Sequence, residues 1–143
     1  MVMSLREPIA GEPVPTFVSR GGLKLHHGLR ALAVDVRGLW AADFGCSTGG
    51  FSDCLLQAGV AKVVCVDTGY GVLAWKLRQD PRVIVMERTN ALHAAMPLEV
   101  ALRAGGPGVD VVTIDASWTP QRLVLPAALA WPRPEGRNLS PIQ

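Results

Sequence analysis

The chain has 143 residues, 49% of them apolar, with 14 Lys and Arg against 12 Asp and Glu and a net charge of +2. That length holds one domain at most, with enough apolar material for a core. No apolar run approaches the roughly 20 residues of a membrane span, no basic-then-apolar start marks a secretory signal, and so weak a charge permits an RNA partner without demonstrating one; a cytoplasmic protein is expected.

Residues 1–16 are Pro-rich and aperiodic and read as a lead or linker. From Ser19 to Ala33 the spacing of Leu23, Leu25, Leu29 and Leu32 predicts a helix, with Arg20, Lys24 and Arg30 as a small basic group on it. Leu39–Phe44 reads as a short buried strand, residues 45–50 as a tight glycine-rich loop, and Phe51–Ala58 as a helix stopped by Gly59. A β-branched run, Lys62–Asp67, predicts a second strand. A helix over Val72–Arg78, a third strand over Arg82–Glu87 and a helical stretch around Pro97–Ala104 follow. Val109–Asp115 is a fourth strand and Gln121–Ala130 a last helix; Trp131–Gln143 shows no clear element and reads as a tail.

Strands alternating with helices predict a parallel sheet covered on both faces. Ligands of such sheets bind beyond the carboxyl ends of the strands. Asp43, Asp67, Glu87 and Asp115 all fall at or near those ends, which is the most informative feature of the sequence.

The loop Gly45-Cys46-Ser47-Thr48-Gly49-Gly50 lets a ligand approach the backbone, and the helix after it offers free amides and a positive dipole end. It lacks the Lys-Ser or Lys-Thr of a P-loop and the G-x-G-x-x-G spacing of a dinucleotide site. Asp43 can take up a ligand ammonium, directly or through water. Asp67, 24 residues on, is placed to accept two ribose hydroxyls, although a nicotinamide dinucleotide enzyme uses an acid in the same place. Cys46, Cys54 and Cys65 match no zinc spacing and read as reduced, buried thiols. Tyr70 and Trp75 are expected in the core, with lining of the pocket as the alternative, and His26, His27 and His93 on the surface.

The ordered set Ser19-Arg20-Gly21-Gly22-Leu23-Lys24-Leu25, Ser47-Thr48-Gly49-Gly50-Phe51 and Val66-Asp67-Thr68-Gly69-Tyr70-Gly71, continued through Asp80-Pro81-Arg82-Val83, Glu87-Arg88-Thr89-Asn90 and Ile114-Asp115-Ala116-Ser117-Trp118, resembles the TlyA (hemolysin A) type of ribosomal RNA methyltransferase within the FtsJ-like group. It covers about residues 17–130, and Trp118 stands where Phe is usual in that family. The resemblance implies a class I, Rossmann-like methyltransferase fold, S-adenosylmethionine as cofactor, ribosomal RNA as partner and a cytidine ribose 2′-hydroxyl as acceptor. It implies Asp43, Gly45, Ser47, Thr48, Gly49, Gly50, Asp67, Glu87 and Asn90 as cofactor-binding residues, with Asn90 equally at home in a plain turn. It also implies Lys24 and Asp115 as the first two members of a Lys-Asp-Lys-Glu catalytic set. A lysine ammonium favours the oxyanion that develops on a ribose hydroxyl, and a carboxylate orients that ammonium.

Two departures from the family matter. Its small S4-type RNA-binding domain has only the Pro-rich lead in its place. Trp131–Gly136 fits the turn before a fifth strand, but Arg137–Gln143 does not fit the strand itself. The second Lys and the final Glu therefore find no residue here. The expectation is a domain truncated after its fourth strand, with Val109–Ile114 as an exposed edge able to self-associate; the alternative is that the Trp131–Gln143 tail folds back over that edge, although its prolines make a paired strand difficult. An enzyme domain acting on RNA and a catalytically inactive cofactor- or RNA-binding module both follow from this set, with a small-molecule methyltransferase as the third alternative.

Overall fold

The computed structural model describes residues 2–3, 15–115 and 121–141. In chain order it contains β1 (Val2–Met3), α1 (Arg20–Ala31), β2 (Trp40–Phe44), α2 (Gly50–Gln57), β3 (Lys62–Val66), α3 (Trp75–Arg78), β4 (Val83–Met86), α4 (Leu98–Ala101), β5 (Val109–Ile114), α5 (Gln121–Leu129) and β6 (Pro132–Pro141). The strands form one sheet in the order β1-β6-β5-β2-β3-β4, and every pairing is parallel.

Side chains alternate across a strand, so β2, β3 and β5 feed two cores. Ala41, Val63, Cys65 and Val111 pack with Leu25 and Leu29 of α1, Leu55 of α2 and Leu77 of α3. Ala42, Phe44, Val64, Val66, Val112 and Ile114 pack on the other face with Val100 of α4, Ala128 of α5 and Trp131. The Trp131 ring meets Phe44 edge-on, with centroids 5.1 Å apart. Central parallel strands buried on both faces account for the nearly unbroken apolar runs that made them visible in the sequence.

Three expectations are corrected. The sheet does not end at the fourth predicted strand: Pro132–Pro141 forms β6, pairing Val111 with Arg137, Val112 with Asn138 and Thr113 with Leu139. Val109–Ile114 is therefore an interior strand, and the edge on which self-association was expected is covered. The prolines fit because Pro132 opens the strand, and a register shift between Val109 and Val111 lets several β6 residues oppose a short stretch of β5. Helices expected over Val72–Arg78 and Pro97–Ala104 shrink to the four-residue α3 and α4. Tyr70 and Trp75, expected in the core, are 68% and 70% exposed. Tyr70 carries the Arg88 guanidinium 4.3 Å from its ring centroid. The 116–118 part of the last family motif, residues 4–14 of the lead and residues 142–143 of the tail lie outside the described residues.

Candidate functional site

From β2 the chain continues to β3 and β4 on one side, while β5 and β6 lie on the other, so the connections part between β2 and β5. That is where a crevice opens in a sheet of this kind. The loop after β2 is shaped by backbone bonds. Gly45 and Cys46 both donate to the Val66 carbonyl, at 2.8 and 3.1 Å, and Gly49 donates to Cys46 O at 2.8 Å. Gly45, Ser47 and Gly49 all have left-handed φ angles (77°, 51° and 102°). Ser47 is the costly one, because a side chain disfavours that region.

The loop delivers the chain into α2, whose N-cap Gly49 offers no side-chain cap. The start of α1 meets it backbone to backbone. A Cβ on Gly50 would strike Ser19 Oγ and lie 2.8 Å from Gly22 N; one on Gly22 would strike the Phe17 ring and lie 2.7 Å from Gly50 O. Only glycine permits this approach, and it brings Ser19, Arg20 and Gly21 to the glycine loop. Ser19, the N-cap of α1, likewise makes no side-chain cap. Two uncapped helix starts thus face one cleft of about 280 Å³, lined by Ser19–Gly21, Asp43, most of Gly45–Phe51 and Asp115.

Asp43 forms the floor. It is fully buried; its Oδ2 accepts Ser52 Oγ at 2.7 Å and its Oδ1 accepts Thr113 Oγ1 at 3.1 Å. Burial pushes its pKa up to about 7. The two hydroxyl bonds restrain the rise, and the charge of nearby Asp115 adds to it. Asp115 follows β5, half-buried, and donates its N–H to Phe44 O at 3.0 Å, which fixes it beside the end of β2. Asp67, after β3, accepts Ser47 N on Oδ2 at 2.6 Å and Gly69 N on Oδ1 at 2.8 Å. Each of its oxygens keeps acceptor capacity for a further donor.

Of the residues singled out in the sequence, Asp43, Gly45, Ser47, Thr48, Gly50 and Asp115 surround the cleft. Gly49 stands just behind, where a Cβ would strike Leu77 and press Leu73 at 2.8 Å. Asp67 reaches the cleft through Ser47. Glu87 and Asn90 do not line it. Glu87 pairs with Arg78 and accepts Gly71 N at 3.1 Å; Asn90 accepts Leu92 N at 2.9 Å, which is an Asx turn. Lys24 is half-buried one turn along α1 from Arg20, and Arg20 is the cation of that helix that lines the cleft.

Sequence reasoning missed Ser52, Thr113 and Asp53. Thr113 is a polar residue inside an apolar run, and that mismatch was the available signal for it. The three cysteines are free and buried. Burial and Asp53 push the Cys54 thiol up to about 12. The Cys46 thiol is held above its ordinary range by its bond to Cys65 and by burial. Neither is suited to act as a nucleophile.

The sequence pattern of the FtsJ-like methyltransferase family matches residues 17–133. Over 111 residues the chain is 50% identical to the 16S/23S rRNA (cytidine-2′-O)-methyltransferase TlyA of Mycobacterium tuberculosis (strain ATCC 25618 / H37Rv), covering 78% of this chain and 39% of that one. Over 75 residues it is 44% identical to Hemolysin A of Brachyspira hyodysenteriae, covering 52% and 31%. A solved structure described as "Putative hemolysin from Streptococcus thermophilus" superposes with a TM-score of 0.78 at 38% identity, over 91% of this chain and 45% of that one. The chain thus spans about two fifths or less of the length of these curated relatives. With the family pattern covering most of its length and the parallel sheet and cleft in place, the chain belongs to the FtsJ-like methyltransferase family.

Proposed function

We propose that the cleft between β2 and β5 binds S-adenosylmethionine and that the domain serves transfer of its methyl group to a ribose 2′-hydroxyl of ribosomal RNA, in the cytoplasm. One observation carries the reading: a single cleft has uncapped helix starts on one side and the carboxylates of Asp43 and Asp115 on the other, with Asp67 at its margin. S-adenosylmethionine has the matching poles, a carboxylate at one end, an ammonium and a sulfonium beside it, and a ribose diol beyond. The free amides in the first turn of α2 suit the carboxylate. Asp43 and Asp115 suit the cationic groups, and the remaining lone pairs of Asp67 suit the diol. Gly45, Ser47, Thr48, Gly49 and Gly50 allow the close approach. Glu87 and Asn90 support the adenosine side by holding the turns after β3 and β4.

Bound there, the cofactor supplies an electrophilic methyl group on a sulfonium sulfur. Asp115, held at the end of β5, keeps a negative charge at the cleft and orients a nearby ammonium. Lys24 is the residue proposed to favour the developing ribose oxyanion. The relatives named as rRNA (cytidine-2′-O)-methyltransferases support RNA as the partner.

The test is transfer of a tritiated methyl group to ribosomal subunits lacking the modification. Transfer that is lost in Lys24→Ala and Asp115→Ala supports the reading. Cofactor binding with no transfer by the chain would assign it as a binding module, the reading to which Lys24's place outside the cleft lining points.

A further inference from the structure

Asp53 is a buried carboxylate, 1% exposed, in the first turn of α2, and it does not line the cleft. Asp53 is the fourth residue of α2, past the N-cap position that Gly49 occupies, so it does not cap its own helix. The carboxylate is spent on other segments. Its Oδ2 accepts the backbone N–H of Val18 at 2.8 Å, its Oδ1 accepts Gln57 Nε2 at 3.1 Å, and Lys76 Nζ of α3 stands 3.3 Å from Oδ1. The same Gln57 nitrogen donates to Thr16 O at 2.9 Å. Residues 53 and 57 lie one turn apart on one face of α2, so together they grip the backbone of Thr16–Val18 at two points.

What is gripped on either side walls the cleft. Val18 immediately precedes Ser19-Arg20-Gly21, which line it. Lys76 belongs to the segment that backs the glycine loop: Ala74 N donates to Thr48 O at 3.0 Å, and Leu73 and Leu77 crowd Gly49. A buried carboxylate without partners is strongly disfavoured, so the burial of Asp53 depends on these three donors. We propose that Asp53 is a positioning residue for the cofactor cleft, tying the start of α1 and the α3 segment to the helix that carries the glycine loop. This rests on reading the cleft as the S-adenosylmethionine site, but the tie itself is independent of any ligand.

Asp53→Asn keeps the shape and removes the charge; Gln57→Ala removes one arm of the grip at an exposed position. Two measurements apply to each: amide hydrogen exchange without ligand, and calorimetric affinity for S-adenosylhomocysteine well below the unfolding temperature. For Asp53→Asn we expect exchange at the hydrogen-bonded amides of Val18, Gly22, Ala74 and Leu77 to speed up about tenfold and affinity to fall about tenfold, the loss of roughly one charge-assisted bond. Protection of Val63–Val66 in β3 should stay unchanged. Gln57→Ala should move both readouts the same way by a smaller factor, and it decides the matter if Asp53→Asn does not fold. Wild-type exchange at Val18 and Gly22, uniform loosening that includes β3, or faster exchange with unchanged affinity would each overturn the proposal. Absence of binding by the wild-type chain would instead overturn the cofactor reading, leaving the exchange data to decide whether Asp53 ties the segments.

Discussion

The carboxylate of Asp67 accepts the backbone N–H of Ser47 at 2.6 Å and so ties the end of β3 to the glycine loop after β2. Ser47 sits at φ 51°, where a non-glycine residue is strained, and this bond helps hold it there. Asp67 therefore shapes the loop before any ligand arrives. We expect Asp67→Ala to lower ligand-free stability in urea by about 1–2 kcal/mol, since Ser47 N and Gly69 N both lose their acceptor. Unchanged ligand-free stability would confine Asp67 to ligand contact.

The contact of Gly50 with Ser19 and Gly22 makes a sharper prediction. Gly50→Ala forces a methyl group into the backbone of α1 and should cost about 1–3 kcal/mol in urea melts, with the start of α1 displaced from the cleft. Gly21→Ala is the control. Its Cβ would meet Phe51 at 3.4 Å, an ordinary contact, and alanine's better helix propensity should leave the fold as stable or up to about 1 kcal/mol more so. Equal effects of the two substitutions would remove the close crossing as the reason for these glycines.

Asp43 gives a pH dependence of definite sign. Its folded pKa is raised from 3.8 to about 7, chiefly by burial, so the folded chain binds the proton that the unfolded chain has released. Its contribution is full below pH 4, falls as pH rises through the window from about 4 to 7, and is constant above that window. Asp43→Asn should flatten this dependence and gain on the order of 2–4 kcal/mol relative to wild type on passing from pH 4 to 8, read from urea melts at each pH. A cationic ligand beside Asp43 favours the carboxylate, so binding near pH 6.5 should release protons. Calorimetry in buffers of different ionisation enthalpy checks that. Parallel pH profiles for wild type and Asp43→Asn would show the carboxyl to be unshifted.

The sheet and the strand-end acids were legible because central parallel strands must be apolar and an acid at their carboxyl ends interrupts that run. Asp43 and Asp115 were found in this way and do meet at one cleft. The last strand was not legible. Pro132, Pro134 and Pro141 argue against a ladder; the first and last stand at the two ends of the strand, and Pro134 falls where the register shifts against β5. Tyr70 and Trp75 were misplaced because aromatic size suggests burial, whereas both lie in the exposed stretch around α3. Asp53 carries no signal of its own in the sequence. Its partners, Val18 and Lys76, are 35 and 23 residues away, and no local pattern reports such contacts.

An interior β5 can be checked directly. With β2 on one side and β6 on the other, the amides of Val111, Val112 and Thr113 should exchange slowly, in step with Val63–Val66 of β3. Fast exchange along β5 would mean that Pro132–Pro141 does not hold its place beside it.

The cofactor cleft is tested most directly by titrating S-adenosylhomocysteine into the wild-type chain and Asp67→Ala in a calorimeter. We expect one site per chain in the wild type and an affinity lower by about 1.5–3 kcal/mol in the variant, the value of a hydrogen bond to a charged group. No binding by folded wild-type protein, or equal affinity in both proteins, would contradict the assignment of the cleft.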